Sequence, residues 1–281
     1  MYSVELREYQ LFQLRILREF IRICDAHDLT YYMAYGTLIG AARHQGFIPW
    51  DDDVDVMMPA DDYLKFREIC KTDLDPDFYF QFHGFNPCNV IGWQRIGVKS
   101  STSMPTKYDY LHAEWGVCMD IFPIADAPAL DSRAFQKQRK ALNLLYRLGN
   151  RYGYEYDARS LSGVSKLYHL LWGKMPINLN VKWFNKTEEK LLHAAQPEES
   201  EYLYDCFFDK TPKKEWFTST VELDFEGMKV KAPVGYKELL SYEYGENWNE
   251  LPPEEERVWH SGGGGEGFIV SLTEPYEQFL K

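Results

Sequence analysis

Residues 35–56 read YGTLIGAARHQGFIPWDDDVDV, and this stretch decides the fold and the chemistry of the chain. Acidic and apolar residues alternate at its end, which predicts a β-strand over Asp53–Met57. In an extended strand, Asp53 and Asp55 project from one face while the two valines pack behind them. The strand therefore presents two neighbouring carboxylates on one side.

A pair of carboxylates on one face of a strand needs a compensating charge. Their backbones lie about 7 Å apart, and two charges about 5 Å apart repel by roughly 3 kcal/mol at an effective dielectric of about 20. A divalent cation reverses the sign of this interaction, and all-oxygen ligands favour Mg²⁺ or Mn²⁺. The pattern therefore predicts a metal site at Asp53 and Asp55.

Two other interpretations of the acidic run agree less well with the sequence. A solvated acidic turn over Asp51–Asp55 is disfavoured by the alternation with valine and by the preceding Pro49-Trp50 and Gly36-Thr37. A calcium loop matches the first three ligand positions but requires glycine where Val56 stands and glutamate where Asp62 stands. A hard divalent metal in a folded site remains the favoured interpretation.

The glycine turn upstream suggests a phosphate contact. Gly36 and Thr37 precede a short helix that we predict over Leu38–His44. Such a turn brings backbone N–H groups and a hydroxyl within reach of a phosphate, which the helix N-terminus also attracts. The two residues are therefore candidates for phosphate binding.

The remaining patterns predict an α+β fold. Residues 4–27 show the three- and four-residue apolar periodicity of an amphipathic helix. Further strands are predicted over residues 29–35, 78–103 and 117–122, and further helices over residues 63–71 and through most of 132–196.

Composition excludes several classes of protein. The chain has 281 residues, 45% of them hydrophobic, and a net charge of −12, which disfavours nucleic-acid binding. Charges in the first eight residues and the lack of a long apolar run predict a cytoplasmic protein without a signal peptide or a membrane span, and a peripheral membrane contact stays open. The five cysteines form no CxxC pair, so we expect them to be buried thiols or thiols without a chemical role.

The stretch over residues 35–56 closely resembles the signature of the LicD family of phosphotransferases, which includes bacterial phosphocholine transferases and is related to fukutin-type ribitol-phosphate transferases. Residues 119–123, MDIFP, resemble the family's central strand. Segments between Phe225 and His260 resemble its C-terminal part.

The resemblance implies a nucleotidyltransferase-type mixed β-sheet flanked by helices, with a helical insertion. It implies one domain over residues 1–260, with a catalytic core over about 1–125, a helical region over about 130–200 and a C-terminal part over 201–260. Residues 261–281 are expected to form a connector, containing Gly262–Gly265, and a tail.

The resemblance also implies a reaction. A phospho-alcohol, phosphocholine or similar, moves from a CDP-activated donor to a hydroxyl of a cell-surface glycan or its precursor, and CMP is released. Asp53, Asp55 and Asp120 correspond to the metal-binding carboxylates, and Asp120 is also the expected proton acceptor. Within this scheme, Thr37 is expected to contact the donor phosphate.

Several predicted site residues have plainer alternatives. An aspartate inside a buried strand, such as Asp120, needs a metal or a salt bridge to an arginine. Arg43, Arg95 and Lys99 are candidates for neutralising donor phosphate, and a surface ion pair is the alternative for each. His44 is expected to be a structural hydrogen-bond partner, because hard metals prefer oxygen ligands.

Two other functions fit the acidic pair. A metal-dependent glycosyltransferase also uses an Asp-x-Asp motif, and a non-catalytic glycan-binding module would need no turnover. The transferred alcohol, the acceptor glycan, the oligomeric state and the general base are not specified by the sequence.

Overall fold

The computed structural model describes residues 4–82, 92–106, 109, 113–149, 177–257 and 267–280. Four features of the sequence lie outside these ranges: Cys88, His260, the glycine run Gly262–Gly265, and residues 150–176 of the predicted helical region.

The described residues form both helices and strands. The helices are α1 (Leu6–Ala26), α2 (Tyr35–Ile39) with a π-helical continuation over Gly40–His44, α3 (Ala60–Asp73), α4 (Arg133–Gly149), α5 (Ile177–Leu192) and α6 (Tyr236–Tyr244). The strands are β1 (Tyr32–Met33), β2 (Asp55–Pro59), β3 (Phe78–Gln81), β4 (Gln94–Val98), β5 (Thr102–Pro105), β6 (Cys118–Ala127), β7 (Tyr202–Asp205), β8 (Thr220–Phe225), β9 (Met228–Pro233) and β10 (Phe268–Ser271).

In the part of the chain that the structure describes, six strands form one mixed sheet. Its order is β1-β2-β6-β4-β3, and β7 pairs with the later residues of β6. The β2–β6 pair is parallel and the other pairs are antiparallel. Two-stranded sheets, β5–β10 and β8–β9, complete the fold. The architecture confirms the predicted α+β class with a mixed sheet and flanking helices.

Helix α1 covers the core, as its periodicity predicts. One face carries Leu17, Phe20 and Ile23, which are fully buried. The ring of Phe20 contacts the rings of Tyr31 and Phe66, with centroids 5.1 Å apart in both pairs. Apolar packing therefore holds α1 against the hydrophobic core.

The acidic strand begins two residues later than predicted. Side chains of α1 bind the backbone just before it: Gln10 donates to the carbonyl of Asp51 at 2.8 Å, and Gln13 donates to the carbonyl of Asp52. Because these carbonyls are already bound, they do not pair with a neighbouring strand. Asp53 therefore precedes β2.

Helix α2 also begins earlier than predicted. The backbone N–H of Leu38 donates to the carbonyl of Ala34, so the first turn already contains Gly36 and Thr37. The strand predicted over residues 29–35 is accordingly reduced to Tyr32–Met33.

The helical region is tied to the core by a buried ion pair. Arg67 of α3 donates to Glu188 of α5 at 2.7 Å, and both side chains are buried. The hydroxyl of Tyr146 in α4 donates to the same carboxylate at 3.0 Å. Three helices therefore meet at Glu188.

The C-terminal segment differs from the predicted tail. Residues Phe268–Ser271 form β10 and pair antiparallel with β5. Tyr276, Phe279 and Leu280 pack against the cluster that contains buried Trp115. The last described residues are therefore part of the folded body.

Two expectations about the whole chain can be compared with the described residues. None of the helices seen there has both the length and the apolar character needed to cross a bilayer. Four of the five cysteines are described, and all four are free thiols: Cys24, Cys70, Cys118 and Cys206.

Candidate active site

The predicted carboxylates meet where two parallel strands begin. Asp55 opens β2 and lies directly opposite Asp120 of β6 in the parallel register. Asp53 precedes β2 and keeps an exposed surface, whereas Val54 and Val56 are fully buried. The alternation in the sequence therefore separates the acidic face from the core as expected.

Backbone hydrogen bonds fix the start of β2. The N–H of Asp55 donates to the Thr37 hydroxyl at 2.9 Å, and the carbonyl of Asp55 accepts from the N–H of Ala34 at 3.0 Å. The N–H of Asp120 donates to the carbonyl of Val54 at 3.0 Å. The signature helix and both strands are thereby joined within a few residues of the carboxylates.

Asp120 is held by an arginine and a tryptophan. Arg95 donates through Nε to Oδ1 and through Nη2 to Oδ2, the latter at 3.1 Å. The indole N–H of Trp93 donates to Oδ1 at 2.7 Å, and the Arg95 guanidinium lies 5.4 Å from the centre of the Trp93 ring. The salt bridge expected as the alternative for Asp120 is present, and Arg95 is its partner.

The two leading aspartates lie in a strongly acidic environment. Burial raises the pKa of Asp55 well above its usual range, and the charges of Asp53, Asp120 and Asp51 add to the shift while Arg95 opposes it. Removal of water around the carboxyl, followed by the charges of Asp51 and Asp52, raises the pKa of Asp53 in the same way. Without a cation, the ionised pair is disfavoured at this site.

The donor chemistry of Asp53 and Asp55 suits a hard divalent cation, which would relieve the repulsion that raises both pKa values. Among the described residues, however, no group of three His, Cys, Asp or Glu side chains is gathered closely enough to hold a metal ion. Asp120 is bound instead by Arg95 and Trp93. A metal at Asp53 and Asp55 stays a prediction.

A small cavity adjoins the carboxylates. It has a volume of about 80 Å³, and its wall includes Asp53, Arg95 and Asp120. Sequence reasoning missed most of the rest of its lining, which comes from α1, the acidic run before β2, β5, the segment before β6 and the first residue of β6: Tyr9, Gln13, Asp52, Ser103, Glu114, Trp115, Gly116 and Cys118. These residues lie in several distant segments of the chain.

Glu114 is a titratable residue in this cavity wall. Burial raises the pKa of Glu114, and the charge of Glu277 adds to the shift. A larger cavity, of about 370 Å³, lies at the opposite ends of β2 and β6 beside Pro59 and Asp126. Six residues of extended strand separate Asp120 from Asp126, a span of about 20 Å, so the larger cavity is remote from the carboxylates.

The predicted phosphate-binding residues occupy different places. A side chain at Gly36 would bring its Cβ within 2.8 Å of Asp51 Oδ2, so glycine allows the acidic loop to approach α2. Thr37 is buried, and its hydroxyl already accepts from Asp55. Gly36 therefore makes room for the acidic loop, and Thr37 holds the backbone of Asp55.

Arg43 and Lys99 bind backbone carbonyls away from the aspartates. Arg43 donates to the carbonyls of Trp248 and Glu250 at 2.9 and 2.7 Å, and its Nε donates to His44. Lys99 follows β4 and donates to the carbonyl of Pro76 at 2.7 Å. Of the three predicted cations, the structure brings only Arg95 into contact with the carboxylate site. His44 is a hydrogen-bond partner, as expected.

Comparison with known proteins gives a domain match and a near full-length relative. The model of the LicD/FKTN/FKRP nucleotidyltransferase domain matches residues 28–140, which contain every predicted site residue. The lipopolysaccharide cholinephosphotransferase LicD of Haemophilus influenzae is 28% identical over 267 residues, covering 92% of this chain and 97% of that protein.

Shorter similarities link the chain to two uncharacterised rickettsial proteins. One from Rickettsia typhi is 34% identical over 73 residues, 24% of each chain. One from Rickettsia prowazekii is 32% identical over 71 residues, 23% of this chain and 27% of that one. The domain match and the near full-length relative together show that this chain is similar to the LicD family of phosphotransferases.

Proposed function

We propose that the protein transfers a phospho-alcohol, phosphocholine or a close analogue, from a CDP-linked donor to a hydroxyl of a cell-surface glycan, with release of CMP. The observation that carries this proposal is the register of β2 and β6, which sets Asp55 opposite Asp120 beside Asp53. The lipopolysaccharide cholinephosphotransferase relative, similar along almost its whole length, supports phosphocholine as the group and lipopolysaccharide as the acceptor class.

We further propose that Asp53 and Asp55 hold Mg²⁺ or Mn²⁺. The acidic pair is unfavourable without a cation, and its oxygen ligands suit a hard ion. Bound there, the ion would neutralise charge on the donor diphosphate.

Arg95 has a second role in this proposal. Its guanidinium lies in the cavity wall beside Asp53 and Asp120, so it can turn toward a phosphate oxygen, which suits its fork of N–H donors. This movement would release one side of Asp120. Asp120 would then accept the proton of the acceptor hydroxyl, and Glu114 in the same wall is the alternative acceptor.

The chain would contribute positioning and charge rather than a covalent intermediate. Thr37 and Ala34 fix the backbone of Asp55, and Trp93 fixes the carboxylate of Asp120. Rigid placement of reacting groups supplies much of the acceleration in phosphoryl transfer. The site contains these elements of placement around one small cavity.

A donor screen tests the proposal. The protein is incubated with lipopolysaccharide, Mg²⁺ and CDP-choline, CDP-ethanolamine, CDP-glycerol or CDP-ribitol, and the nucleotide product is identified by mass spectrometry. Release of CMP together with a modified glycan is expected. The double variant Asp53→Asn, Asp55→Asn should lose this activity, whereas Asp224→Asn, an exposed residue of β8, should retain it.

Two results would overturn the proposal. Release of a nucleoside diphosphate from nucleotide-sugar donors, added to the same assay, would indicate a glycosyltransferase. Glycan binding without turnover of any donor would indicate a non-catalytic binding module.

A further inference from the structure

Glu243 is a buried acid that the proposed mechanism does not use. It lies near the end of α6, and both of its carboxylate oxygens are buried without a hydrogen-bond partner among the described residues. Burial raises its pKa to about 8; the charge of Asp205 adds to the shift and Lys210 opposes it. Buried polar groups in folded proteins are normally paired, so this carboxyl calls for a partner that the chain does not supply.

A second buried acid, Asp205, acts on Glu243, and burial raises the pKa of Asp205 as well. Asp205 accepts from the hydroxyl of Tyr35 at 2.8 Å and from the N–H groups of Phe207 and Phe208 at 3.0 and 3.4 Å. Its hydrogen-bonding capacity is therefore largely used within the chain. The two acids together make the region attractive to a cation while leaving Glu243 available.

The neighbouring lysine does not neutralise Glu243 by direct contact. The ammonium of Lys210 lies 5.7 Å from the centre of the Tyr242 ring, in a cation–π arrangement. The oxygens of Glu243 stay unpartnered in the described structure. Within the described residues, no direct ion pair therefore neutralises Glu243.

Aromatic residues lie on the same segments as the two acids. Phe208 is 55% exposed, and Tyr242 and Tyr244, which flank Glu243 in sequence, are 40% and 49% exposed. The rings of Tyr35 and Phe208 have centroids 4.3 Å apart. Exposed aromatic faces next to a carboxylate attract organic cations. This combination favours a quaternary ammonium group, which carries charge but has no N–H to donate.

The acidic aromatic cluster adjoins the carboxylate site. Tyr35 opens α2, and two residues later Thr37 holds the backbone of Asp55. Although about half of the Tyr244 surface is exposed, loss of water around its hydroxyl raises its pKa. The charges of Glu243 and Asp55 both add to the shift, so both acids act on one tyrosine. A donor whose diphosphate lies at Asp55 could therefore place its alcohol at this cluster.

We propose that Glu243, supported by Asp205 and the exposed face of Phe208, is the specificity-determining residue that receives the quaternary ammonium end of the donor alcohol. This inference rests on the proposed transfer reaction and names the part of the donor that the chain selects. The occupant is a trimethylammonium group rather than a polyol, because an aromatic face beside an acid attracts a cation and a polyol carries no charge.

Binding of two isosteric ligands tests this subsite. Phosphocholine carries a positive nitrogen where 3,3-dimethylbutyl phosphate carries a neutral carbon, and the two have nearly the same shape. Calorimetric titration compares them in the wild type, in Glu243→Gln and in Glu238→Gln, the latter an exposed glutamate of the same helix. The wild type and Glu238→Gln should prefer phosphocholine by about 10-fold or more, and Glu243→Gln should bind both ligands within about twofold.

Glu243→Gln removes a buried acid, so the variant should fold; equal far-ultraviolet circular dichroism spectra verify this. A retained preference in Glu243→Gln, or no preference in the wild type, would overturn the subsite. The donor screen separates the two proposals. CMP release from CDP-choline with an unchanged preference in Glu243→Gln would reject only the subsite. Loss of the preference without CMP release from any donor would reject only the transfer reaction.

Discussion

The Thr37 hydroxyl accepts a hydrogen bond from the backbone N–H of Asp55 at 2.9 Å, across 18 positions of sequence. The bond links the signature helix to the acidic strand at the residue that faces Asp120. The function expected for Thr37 was phosphate binding, whereas its observed contact positions an aspartate. Its phosphate contact remains a prediction.

Replacing Thr37 tests this positioning role. In Thr37→Val, the Asp55 N–H loses its acceptor, which should lower the free energy of unfolding by about 1–3 kcal/mol. Thr37→Ser keeps the hydroxyl and should lose less. Urea unfolding followed by fluorescence measures the difference, and equal losses in both variants would argue against the hydrogen bond as the cause.

Divalent metal should stabilise the fold through the acidic pair. A ligand at 100 times its dissociation constant adds about 2.7 kcal/mol to the free energy of unfolding. Thermal unfolding in Mg²⁺ should therefore occur at higher temperature than in a chelator. The double variant Asp53→Asn, Asp55→Asn should show no such shift, and Asp224→Asn should respond like the wild type. A shift retained in the double variant would place the metal elsewhere.

The stability of the protein should depend on pH through Glu243. Its folded pKa of about 8 lies above the ordinary glutamate value, so between these values the folded state binds more protons than the unfolded state. Its contribution to stability is therefore full below the ordinary glutamate pKa and is lost progressively as the pH rises from there through about 8. Asp205, Lys210, Tyr35 and Tyr244 are charged or titratable groups that act on it or respond to it.

Glu243→Gln should flatten this part of the pH profile, measured as urea midpoints from pH 5 to 9. Glu238→Gln is the matched control, because it changes an exposed residue of the same helix. A profile that is identical in wild type and Glu243→Gln would contradict the assignment.

Breaking the buried Arg67–Glu188 pair should destabilise the protein strongly. Among the described residues, Arg67→Met leaves the Glu188 carboxylate with the Tyr146 hydroxyl alone as a partner, and the expected cost is about 3–5 kcal/mol. Adding Glu188→Leu removes the stranded charge and should recover part of the loss. Chemical unfolding of both variants measures this coupling, and additive losses would indicate that the two residues act independently.

The local patterns in the sequence were enough to predict the acidic face and the first helix. Valine–aspartate alternation places Asp53 and Asp55 correctly because a strand side chain changes face at every residue. The strand start was misplaced because Gln10 and Gln13 of α1 bind the preceding carbonyls. That contact depends on tertiary packing and has no signal in the sequence of the loop.

The partners of Asp120 were only partly predictable. A buried-strand aspartate required a metal or an arginine, and the pairing of β4 with β6 brought Arg95 opposite it. Register between distant strands is set by the whole sheet. The sequence therefore identified Arg95 and Asp120 as candidates but did not predict that they pair. Tyr35, the first residue of α2, has a φ of 47°, which is rare for a bulky residue and which the sequence did not predict.

The acidic aromatic cluster could not be found from sequence alone. Glu243, Asp205 and Tyr35 lie in three distant segments, and no spacing rule connects them. The C-terminal strand was missed for the same reason, because its partner β5 lies more than 160 residues earlier.

The register that joins Asp55 to Asp120 has a consequence for the order of folding. These residues are separated by 65 positions (120 − 55), and a parallel pair cannot form by a local turn. Contacts between distant segments generally form slowly because a long loop must close first. The reactive centre is therefore completed late, so a nascent chain would acquire its helices well before it gained any catalytic competence.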